Sequence, residues 1–479
     1  MTLNLRQTGG NAISILSTDV LNRATSLVLY AMVARRLGAH EFGQLTLAFT
    51  LFYVFQVLAI AGLKTLTIRQ VTRDRSQSRL YFINGCVIAA LSSAASFAAQ
   101  FGFVRLMHYP ADTGIVILLL SLGLGPYAVS AICEGIFQAW ERMRYIPFVN
   151  VPVNIAKIGC VFLLLRNGIG LNAVILTLLC SILAIALIEI WILLRCLPAQ
   201  PASVELHFCL ATFGSAVTFL GIDGTIGVMS SLNILLLSKL VNETQAGLYN
   251  AATQLLVPLL LVYQSIAQSI FPLMCRKVEP GFHNLKRIAE QVIELLLILA
   301  LPAVAGLFFL GDRALSLLYK NSVFLGASPA LRIIAWTLIL QVFTSVLGQV
   351  LVASHREKVS LRIVVVDTLV NLVVGWPLIS RFGLLGAAIA LLLTRVADCS
   401  QHYIPVSRLF SGIPLGKIVW KPIVATAFMA AYLAASTGRL GILTGVSATL
   451  IYVGALLTLV IWTSGGIRLF KDKFLPLLS

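Results

Sequence analysis

Long apolar blocks alternate with short polar loops along the whole chain. The first two, residues 11–37 and 44–68, are each long enough to cross a hydrocarbon core about 30 Å thick at about 1.5 Å per residue, and both read as helices. Further blocks at 80–104, 113–140, a fifth ending at 165, and 171–194 complete a first set of six. A second set follows at 208–238, 246–274, 288–310, 329–353, 360–379 and 384–405, and two more blocks, 418–436 and 442–462, bring the expected total to about fourteen spans. Between the sets lies CLPAQPASVELH (196–207), which has two prolines and is the most linker-like stretch of the chain. The segment 312–328 leaves room for a short re-entrant or interfacial helix.

Composition sharpens this pattern into a class. Of 479 residues 59% are hydrophobic and only 11% charged, and the mean hydropathy is +0.95, which excludes an ordinary soluble domain. The expectation is an all-α polytopic membrane protein. The opening MTLNLRQTGG lacks a basic n-region and a small-residue cleavage site, so no removable signal peptide is expected.

The net charge of +17 suggests nucleic acid in a soluble protein, but here Lys and Arg sit mostly in short loops, where they set orientation. No basic patch interleaves with exposed aromatics, so no nucleic-acid partner is expected. Assigned to alternate sides, 21 of the 35 Lys and Arg fall on the side holding both termini and 10 on the other, while Arg23, Lys64, Lys157 and Arg395 stay within spans. The positive-inside rule then places both termini in the cytoplasm.

The eight cysteines are scattered through apolar runs without a CxxC pair and read as small apolar fillers. With no HExxH and no GxxxxGK[ST], neither a zinc hydrolase nor a P-loop ATPase is supported, and neither a metal nor a cofactor is expected.

Weak internal similarity relates the two halves. RRLGAHEFGQLTLA (35–48) resembles SKLVNETQAGLYNAA (238–252), QAWERMR (138–144) lies over VASHREK (352–358), and RNGIGLNA (166–173) over RFGLLGAA (381–388), all in the same order. Six spans per half give both repeats one orientation, related by a pseudo-two-fold axis along the membrane normal, with a site expected between them.

These features together resemble a known family. A long polar-spotted first helix, the ARRLG…EFGQ turn, AGLKTLTIRQ closing the second span, SKL…AGLYNAA after the seventh and GLLGAAIA opening the twelfth are similar to the bacterial polysaccharide and O-antigen flippases of the multidrug/oligosaccharidyl-lipid/polysaccharide exporter superfamily. The resemblance covers essentially the whole chain. It implies a pair of six-helix bundles, residues 1–200 and 201–410, with two peripheral helices and a cytoplasmic tail in 411–479. It further implies a protein of the bacterial cytoplasmic membrane, a monomer and not an enzyme. Its role would be to translocate an undecaprenyl-diphosphate-linked oligosaccharide for surface or extracellular polysaccharide synthesis by alternating access, beside neighbouring polymerase or glycosyltransferase proteins.

The charges inside spans are the candidate site. A diphosphate head needs a hydrated, cationic cavity, and Arg23, Lys64, Lys157 and Arg395 are the cations that interrupt apolar runs. Each has a structural alternative. Arg23 stands at i,i+4 from Asp19 and Arg395 at i,i+3 from Asp398, so both can be intrahelical pairs. Lys64 is near enough to a span end to snorkel, and Lys157 either meets a carboxylate or faces water. Among the acids, Asp223 and Asp367 stand isolated in apolar surroundings and either bind H⁺ or Na⁺ during coupling or pair with a lysine elsewhere. Glu134, Glu189, Glu290 and Glu294 lie within a few residues of span ends and are read as mostly interfacial. The prolines at 126, 152, 258, 302 and 377 lie within spans, where they can kink helices.

Two rival readings remain open: an ion-coupled exporter of small molecules, of multidrug type, and a membrane enzyme that polymerises or ligates glycans. The first calls for a more acidic, aromatic cavity than Arg23, Lys64 and Lys157 suggest. The second calls for a large loop with catalytic groups, and DRALSLLYKNSVFLGAS (312–328) offers no His and no carboxylate pair.

Overall fold

The computed structural model describes residues 5–196, 204–205, 208–209, 212, 227–229, 231–276, 282–354, 356–436 and 441–463. Among the described residues the chain is helical, joined by turns and short 3₁₀ segments, without a strand. Ten helical stretches among the described residues, counting closely consecutive helices such as Ala39–Ile60 and Leu63–Arg73 as one, are long and apolar enough to cross a membrane. The helix Leu5–Arg36, expected as the first span, is not among them, its apolar run being interrupted by polar residues. A further pair, Glu243–Gln254 and Val257–Phe271, bent by 46°, brings the number to eleven if it forms one span. The polytopic all-α class expected from the apolar blocks is therefore the one observed. Of the expected span at 208–238 the structure describes the end, Ser231–Leu240, and a few isolated residues before it. The chain divides into two compact units, Met1–Asn250 and Ala251–Ser479.

The first unit holds α1 (Leu5–Arg36), α2 (Ala39–Ile60), α3 (Leu63–Arg73), α4 (Ser78–Leu106), α5 (Ala111–Ser121), α6 (Leu124–Ala139), α7 (Tyr145–Arg166), α8 (Leu171–Cys196), α9 (Ser231–Leu240) and most of α10 (Glu243–Gln254). Two blocks that read as single helices are broken. The second block breaks at Ala61 (φ 50°) and Gly62 (φ 72°), both left-handed, so that α2 and α3 are separate helices. A left-handed alanine is unfavourable by roughly 1–2 kcal/mol. The break is held by its hydrogen bonds: the Ala61 N–H donates to Val57 O at 3.0 Å, and Ser92 Oγ of α4 donates to Ala59 O at 2.6 Å. The fourth block divides at Leu122 and Gly123 into α5 and α6. Just before α4, the exposed Asp74 accepts from the Ser76 N–H and hydroxyl and from Gln77, and these bonds hold its carboxyl below the usual carboxylate range.

α2 sits at the centre of this unit, packed on α4, α5 and α6. Phe42, Leu45, Leu47 and Leu51 of α2 are fully buried with Ile117 and Leu120 of α5 and Phe137 of α6. At the start of α2 only glycine fits. A Cβ on Gly43 would lie 1.9 Å from Glu243 O, and one on Gly247 would lie 2.9 Å from Ala39 O, so α2 and α10 touch backbone to backbone. Asn250 Nδ2 donates to Thr46 Oγ1 at 3.0 Å beside that contact.

The second unit comprises the end of α10, α11 (Val257–Arg276), α12 (His283–Tyr319), α13 (Ser328–Ala335), α14 (Thr337–Ala353), α15 (Glu357–Leu409), α16 (Leu415–Ala435) and α17 (Ile442–Thr463). α12 is 37 residues long and runs past the expected end at 310 through Pro302 to Tyr319. There the Tyr319 ring stacks on Phe324, centroids 4.6 Å apart, within the 3₁₀ segment Ser322–Ala327. That segment occupies the stretch in which a re-entrant or interfacial helix was expected. α15 bends at Gly383 (φ 54°, ψ −125°), between the two blocks read as separate spans at 360–379 and 384–405.

α16 and α17 pack on each other through Ala425, Met429, Leu433, Ala448 and Tyr452, and Tyr452 donates from its hydroxyl to Ile298 O of α12 at 2.7 Å. The remaining face of α17 is bare, with Leu443 85% and Trp462 77% exposed. Apolar side chains so exposed are stable only against hydrocarbon.

Candidate functional site

The in-span cations fall into three settings. Arg23 lies 13 residues from the C-terminal end of α1, about 20 Å along the helix, and its side chain is exposed. Tyr53 of α2 is half-exposed, and its ring stacks on Phe49. Asp19, expected one turn before Arg23, has a side chain outside the described residues. Lys157 of α7, half-buried, donates to Asn154 Oδ1 in its own helix. Asn154 Nδ2 in turn donates to Asn22 Oδ1 of α1 at 2.7 Å. α1 and α7 are thus tied by an asparagine pair that carries a cation at each side, Arg23 next to Asn22 and Lys157 one turn from Asn154. Among the described residues neither cation has a carboxylate within ion-pair distance.

Lys64 has a different setting. It stands just beyond the break between α2 and α3, and its ammonium lies 2.5 Å from Glu134 Oε2 of α6. The close approach of these helices rests on Gly135, whose added Cβ would lie 3.2 Å from Lys64 O. A second carboxylate, Glu189 of α8, is wholly buried and accepts from Ser130 Oγ of α6 at 2.5 Å. Glu134 and Glu189, expected at the interface, are instead turned into the packing of α6 and α8. Lys64 is tied across helices rather than snorkelling.

The third setting is in the second unit. Arg395 Nη1 donates to Asp398 Oδ2 at 3.1 Å, and His402 Nδ1 lies 2.9 Å from Asp398 Oδ1, all on the second part of α15. Asp367, on the first part of α15, accepts at 2.8 Å from Nε2 of Gln401, three residues from Asp398 on the second part. Asp367, Asp398, Asn371 and Thr394 are all buried, and Asn371 Oδ1 has no partner. The bend at Gly383 is what allows one long helix to fold its own acids together. Two buried acids on one folded helix, one of them held by Arg395 and His402, give this cluster the chemistry to hold a cation or exchange a proton. Asp223 lies outside the described residues.

Of the expected site residues, the structure brings Arg395, Asp398 and Asp367 into one cluster and ties the Lys157 helix to Arg23's through asparagines, while Lys64 is engaged by Glu134. It adds Asn22, Asn154, Ser130, Glu134, Glu189, Gln401 and His402. His402 at i+4 from Asp398 and Asn154 at i−3 from Lys157 carry a spacing signal in the sequence. The Asn22–Asn154 and Glu189–Ser130 contacts join distant helices and carry none.

Comparison with known proteins adds an independent line. The family model described as polysaccharide biosynthesis protein matches residues 9–277, and the MatE model matches residues 225–376. A probable low-salt glycan biosynthesis flippase of Haloferax volcanii is 22% identical over 397 residues, covering 82% of each chain. A putative O-antigen transporter of Shigella dysenteriae is 20% identical, covering 68% of this chain and 82% of the other. Among solved structures, a lipid II flippase in an inward closed conformation aligns with TM-score 0.75 at 14% identity, covering 98% of this chain and 99% of its own. An inward-facing multidrug transporter aligns with TM-score 0.65 at 13% identity, covering 81% and 96%. These structural likenesses concern the fold.

Proposed function

Because the chain belongs to the polysaccharide biosynthesis protein family, we propose that it is a flippase that carries a lipid-linked oligosaccharide across the membrane for polysaccharide synthesis. It is a transporter and not an enzyme. The observation that carries the reading is Arg23: an exposed guanidinium on the 32-residue α1, which the apolar block 11–37 reads as a span, with no carboxylate partner among the described residues. Facing lipid, such a charge would cost about 2.5–3.5 kcal/mol or more, so it must face a polar, hydrated space.

The arrangement suits the substrate. A guanidinium offers paired donors to phosphate oxygens, and Lys157 adds a second cation one helix away. Asn22 and Asn154 hold α1 and α7 in register, and the exposed ring of Tyr53 offers a stacking face for a sugar. Together these groups replace the water that a diphosphate and its sugars would otherwise lose on crossing hydrocarbon. We assign the head-group contact to Arg23 and Lys157, and give Lys64 and Arg395 supporting roles through their ion pairs.

The finer reading is the one drawn from the sequence. The substrate is undecaprenyl-diphosphate-linked, transport is by alternating access in the cytoplasmic membrane with both termini cytoplasmic, and residues 1–200 and 201–410 are the two repeats with 411–479 peripheral. Polymerase or glycosyltransferase proteins act beside a monomer. Coupling to H⁺ or Na⁺ falls to Asp367 and Asp398, whose shared, buried site would trade its proton or ion as α15 moves about Gly383. The MatE match over residues 225–376 favours such coupling, and it also keeps a small-molecule exporter as the second reading.

The test compares Arg23→Gln, Arg23→Lys, Lys157→Gln and the double Gln variant for membrane abundance and surface glycan in one strain. Normal abundance with lost glycan in the double variant, and partial rescue by Arg23→Lys, supports the assignment. Normal glycan from a well-expressed double variant refutes it.

A further inference from the structure

Glu189 has no role in the reading above, yet its surroundings are unusual. Its side chain is wholly buried, one oxygen is held by Ser130 at 2.5 Å, and the other, Oε1, has no partner. The groups that act on it electrostatically are the Glu134 carboxylate of α6 and the Lys64 ammonium of α3. Tyr127 and Cys133, also on α6, feel both carboxylates. The other helices packed against α8 carry Asp112 on α5 and Tyr145, Lys157, Cys160 and Arg166 on α7.

The charges do not balance as they stand. Lys64 is engaged by Glu134, which leaves Glu189 as a second carboxyl with one hydroxyl for company. An ionised carboxylate in that position would keep an oxygen without a protein donor or cation beside it, at a cost of several kcal/mol. A proton on Glu189 removes the surplus charge. A metal ion does not suit the place, because a hard cation needs about six oxygen ligands and here an ammonium already occupies the electropositive side.

We propose that Glu189 is a proton-binding site of the first unit, separate from the Asp367–Asp398 pair, whose occupancy is set by Lys64. While Lys64 is bound to Glu134, Glu189 holds its proton. When α3 swings at the left-handed break of Ala61 and Gly62 and carries Lys64 toward α8, the Glu189 O–H bond breaks, the proton leaves to water, and the ammonium neutralises the carboxylate that remains. The break lies three residues or fewer from the lysine, so a rotation there keeps the exchange local. This inference stands whether the cargo is a glycan or another molecule.

Infrared difference spectra of the full-length protein in lipid test it without any transport readout. Spectra are recorded from about pH 4 to about pH 9, a range that covers ordinary and buried carboxyls. The expected result is a protonated-carboxyl C=O band that fades as pH rises, persists in Asp367→Asn and is lost from that background when Glu189→Gln is added. Ser130→Ala should move the same band to higher frequency by removing its hydrogen bond, which keeps the test open if Glu189→Gln does not fold. A wild-type spectrum without the band, an Asp367→Asn band that survives the addition of Glu189→Gln, or a band unmoved in Ser130→Ala would overturn the proposal.

Discussion

The Lys64 ammonium lies 2.5 Å from the Glu134 carboxylate and so ties α3 to α6 immediately beyond the break in the second span. Its loss leaves the Glu134 carboxylate without a cation. Lys64→Met should destabilise the protein by about 1–3 kcal/mol, between the values for exposed and buried pairs, because the two side chains are 34% and 21% exposed. Adding Glu134→Gln should restore part of the loss. Unfolding in detergent of the single and double variants measures both, and an additive double variant would show that the pair is not coupled.

Arg395 offers a parallel case in the second unit. Asp398 is 7% exposed in its side chain and is held by Arg395 and His402, so Arg395→Ala leaves a buried carboxylate with one weaker partner. A loss of about 2–4 kcal/mol is expected. Arg395→Lys should recover less than Arg395→Ala in an Asp398→Asn background, since the lysine keeps the charge but not the guanidinium geometry. Thermal unfolding of the four proteins decides this.

The contact of α2 with α10 tests the packing of the first unit. Gly43→Ala places a methyl 1.9 Å from Glu243 O, where only backbone can yield, and should cost about 3 kcal/mol or more. Gly102→Ala on α4 meets nothing within 4 Å and should be neutral or stabilise by up to about 1 kcal/mol. Equal stabilities for the two variants would contradict the close approach described here.

Much of this architecture is legible in the chain because membrane helices must be long and apolar, and charges within them stand out. The bend at Gly383 shows in the sequence as the gap between two apolar blocks. The break at Ala61–Gly62 does not, because alanine gives no sign of a left-handed conformation imposed by Ser92 on a neighbouring helix. Arg395 and Asp398 pair at a spacing that the sequence displays. That Glu189 is covered by α6 is not legible, because position along a helix says nothing of which neighbour covers a side chain. Arg23 and Lys157 were recognisable as unusual cations, but the Asn22–Asn154 contact that relates their helices is a matter of tertiary packing alone.

Orientation can be checked independently of the structure. The 21-to-10 split of basic residues predicts that reporter fusions after Arg79 and after Ala199 both read as cytoplasmic. An extracytoplasmic signal at either position would break the proposed topology.

The most direct measurement is translocation by the purified protein in liposomes holding a polyprenyl-diphosphate-linked oligosaccharide, scored by access of a membrane-impermeant sugar reagent. Wild-type protein should make the inner-leaflet glycan accessible, and Arg23→Gln, Lys157→Gln should slow this by about tenfold or more, as expected if phosphate contacts worth about 1.5–3 kcal/mol each are lost. A wild-type rate no higher than that of protein-free liposomes, with the protein folded and a driving H⁺ or Na⁺ gradient present, would contradict the flippase account.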